Sequence, residues 1–168
     1  LRFFMLSAHY RSPLNFSAEL MESAKNGLER ILTAADNLKF LAGSASAEPM
    51  TDEEKDLYGK TQEYADGFER AMDDDFNTAD AIAAVFELVK YINTTVDGTR
   101  TKEYLDSLYG RLQNLTDVLG IIIEKKEEML DEEIEELIEK RQAARKEKNF
   151  ALADQIRDAL LAKGIILE

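Results

Sequence analysis

Ala79, Ile82, Val85, Phe86, Val89 and Ile92 recur at intervals of three and four residues. That spacing puts their side chains on one face of an α-helix and does not fit the period of two that a half-buried strand requires. A helix with such an apolar stripe has to bury it against other helices or a sheet. The spacing recurs upstream in Leu20, Ala24, Leu28, Ile31, Ala35 and Leu38, and downstream in Tyr104, Leu105, Leu108, Leu112, Leu115 and Leu119. With 168 residues, 45% of them apolar, the chain can build one compact core, or one core and a small extra lobe.

The residues between these stripes punctuate them. Residues 1 to 10, with Phe3, Phe4, Leu6 and Tyr10, read as the end of a helix that Pro13 stops, and Ser17 caps a second helix running to about Gly43. Gly43 to Pro49 is a small-residue loop, after which Thr51 and Glu54 form a capping-box pattern opening a third helix that carries Leu57, Tyr64 and Phe68. Asp73, Asp74, Asp75 and Asn77 offer N-cap oxygens to the fourth helix, Asp97-Gly98 is a turn, and Gly120 ends the fifth. A last helical pair is expected over roughly 130 to 163, interrupted near Asn149, which precedes Phe150 and is placed to cap a fresh helix. The expected fold is all-α: an antiparallel helical bundle of about four to five helices over residues 1–125, then a helical pair in a smaller lobe, 126–168. The opening run from Leu1 to Leu6 lacks an initiator methionine, and Ile165 to Glu168 is β-prone without a strand partner, so both ends read as cut from something larger and the last residues as extended.

Composition removes several kinds of chemistry. There is no cysteine and one histidine, which excludes disulfides, cysteine-ligated zinc and a Cys/His nucleophile pair, and fits a reducing, cytoplasmic setting. No apolar run is long enough to span a bilayer, and no basic-then-apolar leader opens the chain, so a soluble protein without membrane partners is expected. The net charge of −13 opposes binding to nucleic acid, but it is unevenly spread. From Lys140 to Lys163 seven basic residues face three acidic ones, a local +4 that leaves −17 on the rest. The last quarter is thus the candidate surface for an anionic partner.

Three blocks carry a resemblance. Leu6 to Ser17 (Leu-Ser-Ala-His-Tyr-Arg-Ser-Pro-Leu-Asn-Phe-Ser), Met72 to Ala79 (Met-Asp-Asp-Asp-Phe-Asn-Thr-Ala) and Arg141 to Asp158, continuing into Leu160 and Gly164 to Glu168, resemble cysteinyl-tRNA synthetases. The blocks stand in that family's order and the helical stretches between them agree in type, so the resemblance covers essentially the whole chain. It implies the entry into a helical bundle after a catalytic core, the bundle itself, and the start of a small anticodon-binding lobe, truncated before a small C-terminal sheet. It also implies tRNA(Cys) and the chain's own N-terminal catalytic domain as partners, in a monomer. The family's HIGH-like and KMSKS-like nucleotide-binding signatures and its zinc-holding cysteines are absent. Zinc and ATP are therefore expected in the catalytic domain of a parent enzyme, with no cofactor and no catalytic residue in this chain.

On this resemblance the tRNA-binding residues are Arg141, Arg145, Lys148, Asp154 and Arg157, with Arg145 and Asp154 at positions the family uses near the anticodon. An arginine can contact guanine or phosphate in bidentate fashion, and an aspartate accepts from amino or imino groups of a base edge. Simpler readings compete with each candidate. Acids at 132–136 followed by bases from Lys140 suit the macrodipole of a single helix, and Asp154 suits the first turn of a helix after Asn149. His9 suits a bond to a backbone carbonyl better than stacking on a nucleotide. Asp73 to Asp75 suit capping and dipole compensation better than Mg²⁺, since adjacent carboxylates diverge. The alternative function is a helical protein-interaction or scaffolding module.

Overall fold

The computed structural model describes residues 1–123, 137–141 and 149–162. The chain divides into two compact units, Leu1–Glu124 and Lys125–Glu168. Among the described residues every regular element is helical, in agreement with the periodicity of the sequence.

The first unit contains α1 (Arg2–Leu6), α2 (Ala18–Ser44), α3 (Asp52–Lys60), α4 (Gln62–Asp73), α5 (Thr78–Thr95) and α6 (Lys102–Val118). Four of these helices, α2, α3, α5 and α6, start where a side chain satisfies an orphan backbone N–H. Ser17 accepts from the Leu20 N–H, Thr51 from Glu54, Asn77 from Asp80 and Thr101 from Tyr104. At Thr51 the capping box is complete, because the Glu54 carboxylate accepts in return from the Thr51 N–H.

The most extensive packing joins α4 to α5 and α2 to α6. Ile31 and Leu38 of α2, Phe68 of α4, Val85, Leu88 and Ile92 of α5, and Tyr104, Leu108 and Leu112 of α6 meet in one core, each at most 3% exposed. Each large apolar side chain withdrawn from water in this way contributes about 1.5–3 kcal/mol. Lys102 donates its N–H to the Ser46 carbonyl and Lys39 lies over the Tyr109 ring, so α2 and α6 run antiparallel.

Three boundaries differ from those expected. The first helix ends at Leu6 instead of reaching Tyr10, because Ser7 turns its N–H and its hydroxyl back onto the Phe4 carbonyl. The single helix expected after Thr51 is two helices. Buried Thr61 donates both its N–H (2.9 Å) and its hydroxyl (2.6 Å) to the Tyr58 carbonyl, an i to i−3 closure that breaks the helical ladder between α3 and α4. The acids Asp73 to Asp75 do not cap α5. Asp73 ends α4, Asp74 is its C-cap, and Asp75 and Phe76 take left-handed backbone conformations (φ 58° and 54°) that bring Asn77 into the capping position.

In the second unit residues 137–141 are helical, and α7 spans Phe150–Ala162. The Leu152 N–H reaches the Asn149 side-chain oxygen at 3.3 Å, the cap expected there. The extended tail expected at 165–168 and most of the helix expected before Asn149 lie outside the described residues.

Candidate nucleic-acid interface

On α7, Ala153, Ile156 and Leu160 are buried at the spacing of one helical face. That register turns Asp154, Gln155, Arg157 and Asp158 outward, and all four are exposed. Of the five residues expected to contact tRNA, Asp154 and Arg157 are thereby brought together. The Arg157 guanidinium lies 3.1 Å from the Asp154 carboxylate and 2.9 Å from that of Asp158. Its Nε also donates to Asp158 at 3.0 Å. Asp158, then Asp154, hold the guanidinium pKa above its usual value. Arg157 is therefore a cation whose charge is already shared between two neighbours, and a phosphate has to compete with both for it.

Arg141 is half-buried at the end of the 137–141 helical stretch, beside exposed Lys140. Arg145 and Lys148 lie outside the described residues. The run of acids at 132–136 that the macrodipole reading invoked lies outside them too.

In the bundle, His9, Tyr10, Arg11 and Asp75 form one surface cluster. Asp75 accepts from the Tyr10 hydroxyl at 2.9 Å and pairs with Arg11 at 3.0 Å, while the His9 imidazole stands 4.0 Å away and stacks on Tyr10. The Tyr10 hydroxyl is held above its ordinary pKa, first by the hydrogen bond to Asp75. His9 Nδ1 accepts from the Arg11 N–H at 3.3 Å. The expected backbone bond of His9 thus exists with its sense reversed, since the ring takes a proton from an N–H instead of giving one to a carbonyl. Asp75 serves the 9–11 segment and not the helix that follows it, a role hidden in the sequence because its partners lie some 65 positions away.

The geometry defines a helical bundle and, as a separate unit along the chain, a short helix on whose exposed face Arg157 stands between Asp154 and Asp158. Comparison with known proteins agrees in kind. Residues 67–124 match the model of the DALR domain, and residues 127–168 that of the cysteinyl-tRNA ligase anticodon binding domain. Cysteine–tRNA ligase of Lachnospira eligens is 60% identical over 168 residues, covering all of this chain and 36% of the relative. That of Lachnoclostridium phytofermentans is 52% identical over all of this chain and 37% of its own length, and that of Clostridioides difficile 47% over 99% of this chain and 36% of its own. The chain belongs with the cysteinyl-tRNA ligase family and carries its DALR and anticodon-binding domains. It spans a little over a third of the length of the curated relatives it matches.

Proposed function

We propose that the chain is the tRNA-binding C-terminal region of a cysteine–tRNA ligase, contacting the body of tRNA(Cys) with its bundle and the anticodon stem-loop with the unit that contains α7. The observation that supports this most is the order of the two matched domains along one chain, 67–124 and then 127–168. Domain limits of 1–125 and 126–168 fit that order. Asp154 and Arg157 on the outer face of α7, with Arg141, Arg145 and Lys148 before it, form the anticodon-side contact in this reading.

Aminoacylation falls to residues outside this chain. Zinc in the family needs thiolate and imidazole ligands, and the chain has no cysteine and a single histidine. Among the described residues no three His, Asp or Glu side chains gather into a metal-binding group. The residues present therefore do not fit zinc, and no step of cysteine activation is assigned to them. The catalytic domain of a cytoplasmic, monomeric parent enzyme holds ATP and zinc in this reading.

The test is binding of the 168-residue chain to a tRNA(Cys) transcript at about 50 mM salt, where phosphate contacts are least screened. Saturable binding that weakens when the anticodon is altered is the expected result. Equal, weak binding to any RNA, together with tight binding to a protein, would favour a helical protein-interaction module instead.

A further inference from the structure

A polyanion is repelled by most of the surface of a chain with a net charge of −13. One stripe of the bundle is different. Along α2, Ser23, Asn26, Arg30, Thr33, Asn37 and Phe40 recur every third or fourth residue and share one helix face. One carboxylate, Glu29, lines the groove beside this face. Lys25 approaches that carboxylate at 3.7 Å and offsets its charge. Asn93 of α5 faces the stripe across an open groove of about 480 Å³.

Apart from the Lys25–Glu29 pair, the polar groups of this groove make no hydrogen bond or ion pair among the described residues. Among the described residues, the side chains of Asn26, Thr33, Asn37 and Asn93 have no hydrogen-bond partner. The Arg30 guanidinium lies over the Phe86 ring, 5.1 Å from its centre, and pairs with no described carboxylate. One turn beyond Asn37, Phe40 presents a ring that is 77% exposed. Free amides, a hydroxyl and an unpaired guanidinium are the groups that contact phosphate oxygens and ribose hydroxyls, and an exposed ring offers a stacking face to a base. A protein partner would instead call for an aromatic or large aliphatic anchor at the centre of the patch, and the lining here is three amides, a threonine, an arginine, a glutamate and one alanine.

We propose that the α2–α5 groove, from Asn26 to Phe40 with Asn93 opposite, holds a stretch of RNA sugar–phosphate backbone. The inference rests on the tRNA-binding reading above and assigns the body of the tRNA to this face of the bundle. Neutral amides allow an acidic protein to accept phosphates without a dense basic patch, which the bundle lacks.

Asn37→Asp and Asn93→Asp each add a second carboxylate to the groove, beside the Lys25-paired Glu29, at almost unchanged shape. Asn114→Asp adds the same charge at an exposed position of α6 that does not line the groove. With the 168-residue chain and a tRNA(Cys) transcript at about 50 mM salt, each groove variant should lower affinity at least about fivefold and the control less than about twofold. Hydroxyl-radical protection of tRNA riboses should be lost in the groove variants, and far-UV circular dichroism should be unchanged in all three. Equal effects of Asn37→Asp and Asn114→Asp, with the unaltered chain binding well, would overturn the groove while leaving the tRNA reading intact. Absence of binding by the unaltered chain would remove the reading and the groove together.

Discussion

Glu54 and Thr101 join the first turns of two helices through a carboxylate that is itself buried. The Thr101 N–H donates to one Glu54 oxygen at 2.8 Å and the Thr101 hydroxyl to the other at 2.9 Å. The second oxygen also accepts from the Thr51 N–H at 2.8 Å. One side chain, 2% exposed, thus closes the capping box of α3 and fixes the start of α6. Arg100 reinforces the junction from outside, reaching Glu53 at 3.0 Å and the Thr95 carbonyl at 3.0 Å.

Replacing Glu54 should therefore be among the costlier changes in the bundle. Glu54→Ala leaves the Thr101 and Thr51 donors buried without acceptors, and the expected loss is about 3 kcal/mol. Glu54→Gln keeps the shape but sets an amide N–H₂ against donors, and should cost about 1–2 kcal/mol. Urea denaturation at pH 7 measures both. A loss below about 0.5 kcal/mol for Glu54→Ala would mean that water replaces the carboxylate freely.

The same junction predicts a pH dependence. Burial alone pushes the Glu54 carboxyl up, but the Thr101 and Thr51 N–H groups and their hydroxyls together hold it below its ordinary value. The folded chain then binds this proton less readily than the unfolded chain. The stability contributed is complete above the ordinary glutamate value of about 4.3 and is lost as pH falls through the lower, folded value. Urea midpoints measured from pH 7 to pH 3 should show the advantage of the natural chain over Glu54→Gln shrinking only below about pH 4. An advantage that declines between pH 7 and pH 5 would contradict this assignment.

How far these features were legible depended on the range of the interaction. The cap at Ser17, the capping box at Thr51 and Glu54, the stripe from Ala79 to Ile92 and the cap at Asn149 are all local, and each stands where its residues suggest. Thr61 hid the break between α3 and α4, because a threonine mid-helix bonds backward as often without ending the helix. The Asp73 to Asp75 run offered three plausible caps, and only the left-handed turn at Asp75 and Phe76 decides for Asn77. The Glu54–Thr101 and Tyr10–Asp75 pairs span 47 and 65 positions, and no spacing rule reaches that far. At the candidate interface the i, i+3 relation of Asp154 to Arg157 was visible, whereas the groove depends on Asn93 meeting α2 from another helix.

Gly120 closes the bundle in a conformation that other residues resist. Its φ is +63°, and a Cβ added there would lie 2.6 Å from Arg2 Nη1, the group that donates to the Gly120 carbonyl. The arginine end can swing away, so the backbone sets most of the cost. Gly120→Ala should lose about 1–2 kcal/mol, and Gly120→Val more, because a β-branched side chain tolerates the left-handed region least. Gly59→Ala, in the last turn of α3 with open space around the added carbon, should be neutral or stabilising by up to about 1 kcal/mol. Thermal unfolding of the three variants checks the order, and equal melting temperatures for Gly120→Ala and Gly59→Ala would remove the backbone argument.

The charge arrangement on α7 allows the role of Asp154 to be separated from that of Asp158. Both carboxylates draw on the Arg157 guanidinium, at 3.1 and 2.9 Å, and both are exposed. If charge alone governs tRNA binding, removing either acid frees the arginine and lowers repulsion of phosphate. Asp158→Asn should then tighten binding by about two- to threefold at low salt, an advantage that fades as salt screens it. Arg157→Ala should weaken binding by about tenfold, since it removes one cation and leaves two carboxylates uncovered. Asp154→Asn discriminates between the two accounts of that residue. As a mere neighbour of Arg157 it should behave like Asp158→Asn with every tRNA. As an acceptor from a base edge, the role proposed for it, its loss should weaken binding of tRNA(Cys) by about tenfold while leaving an anticodon-altered tRNA unaffected. Filter binding of the three variants to both transcripts at several salt concentrations gives the comparison. Tighter binding of Asp154→Asn to both tRNAs would assign the residue to helix electrostatics alone.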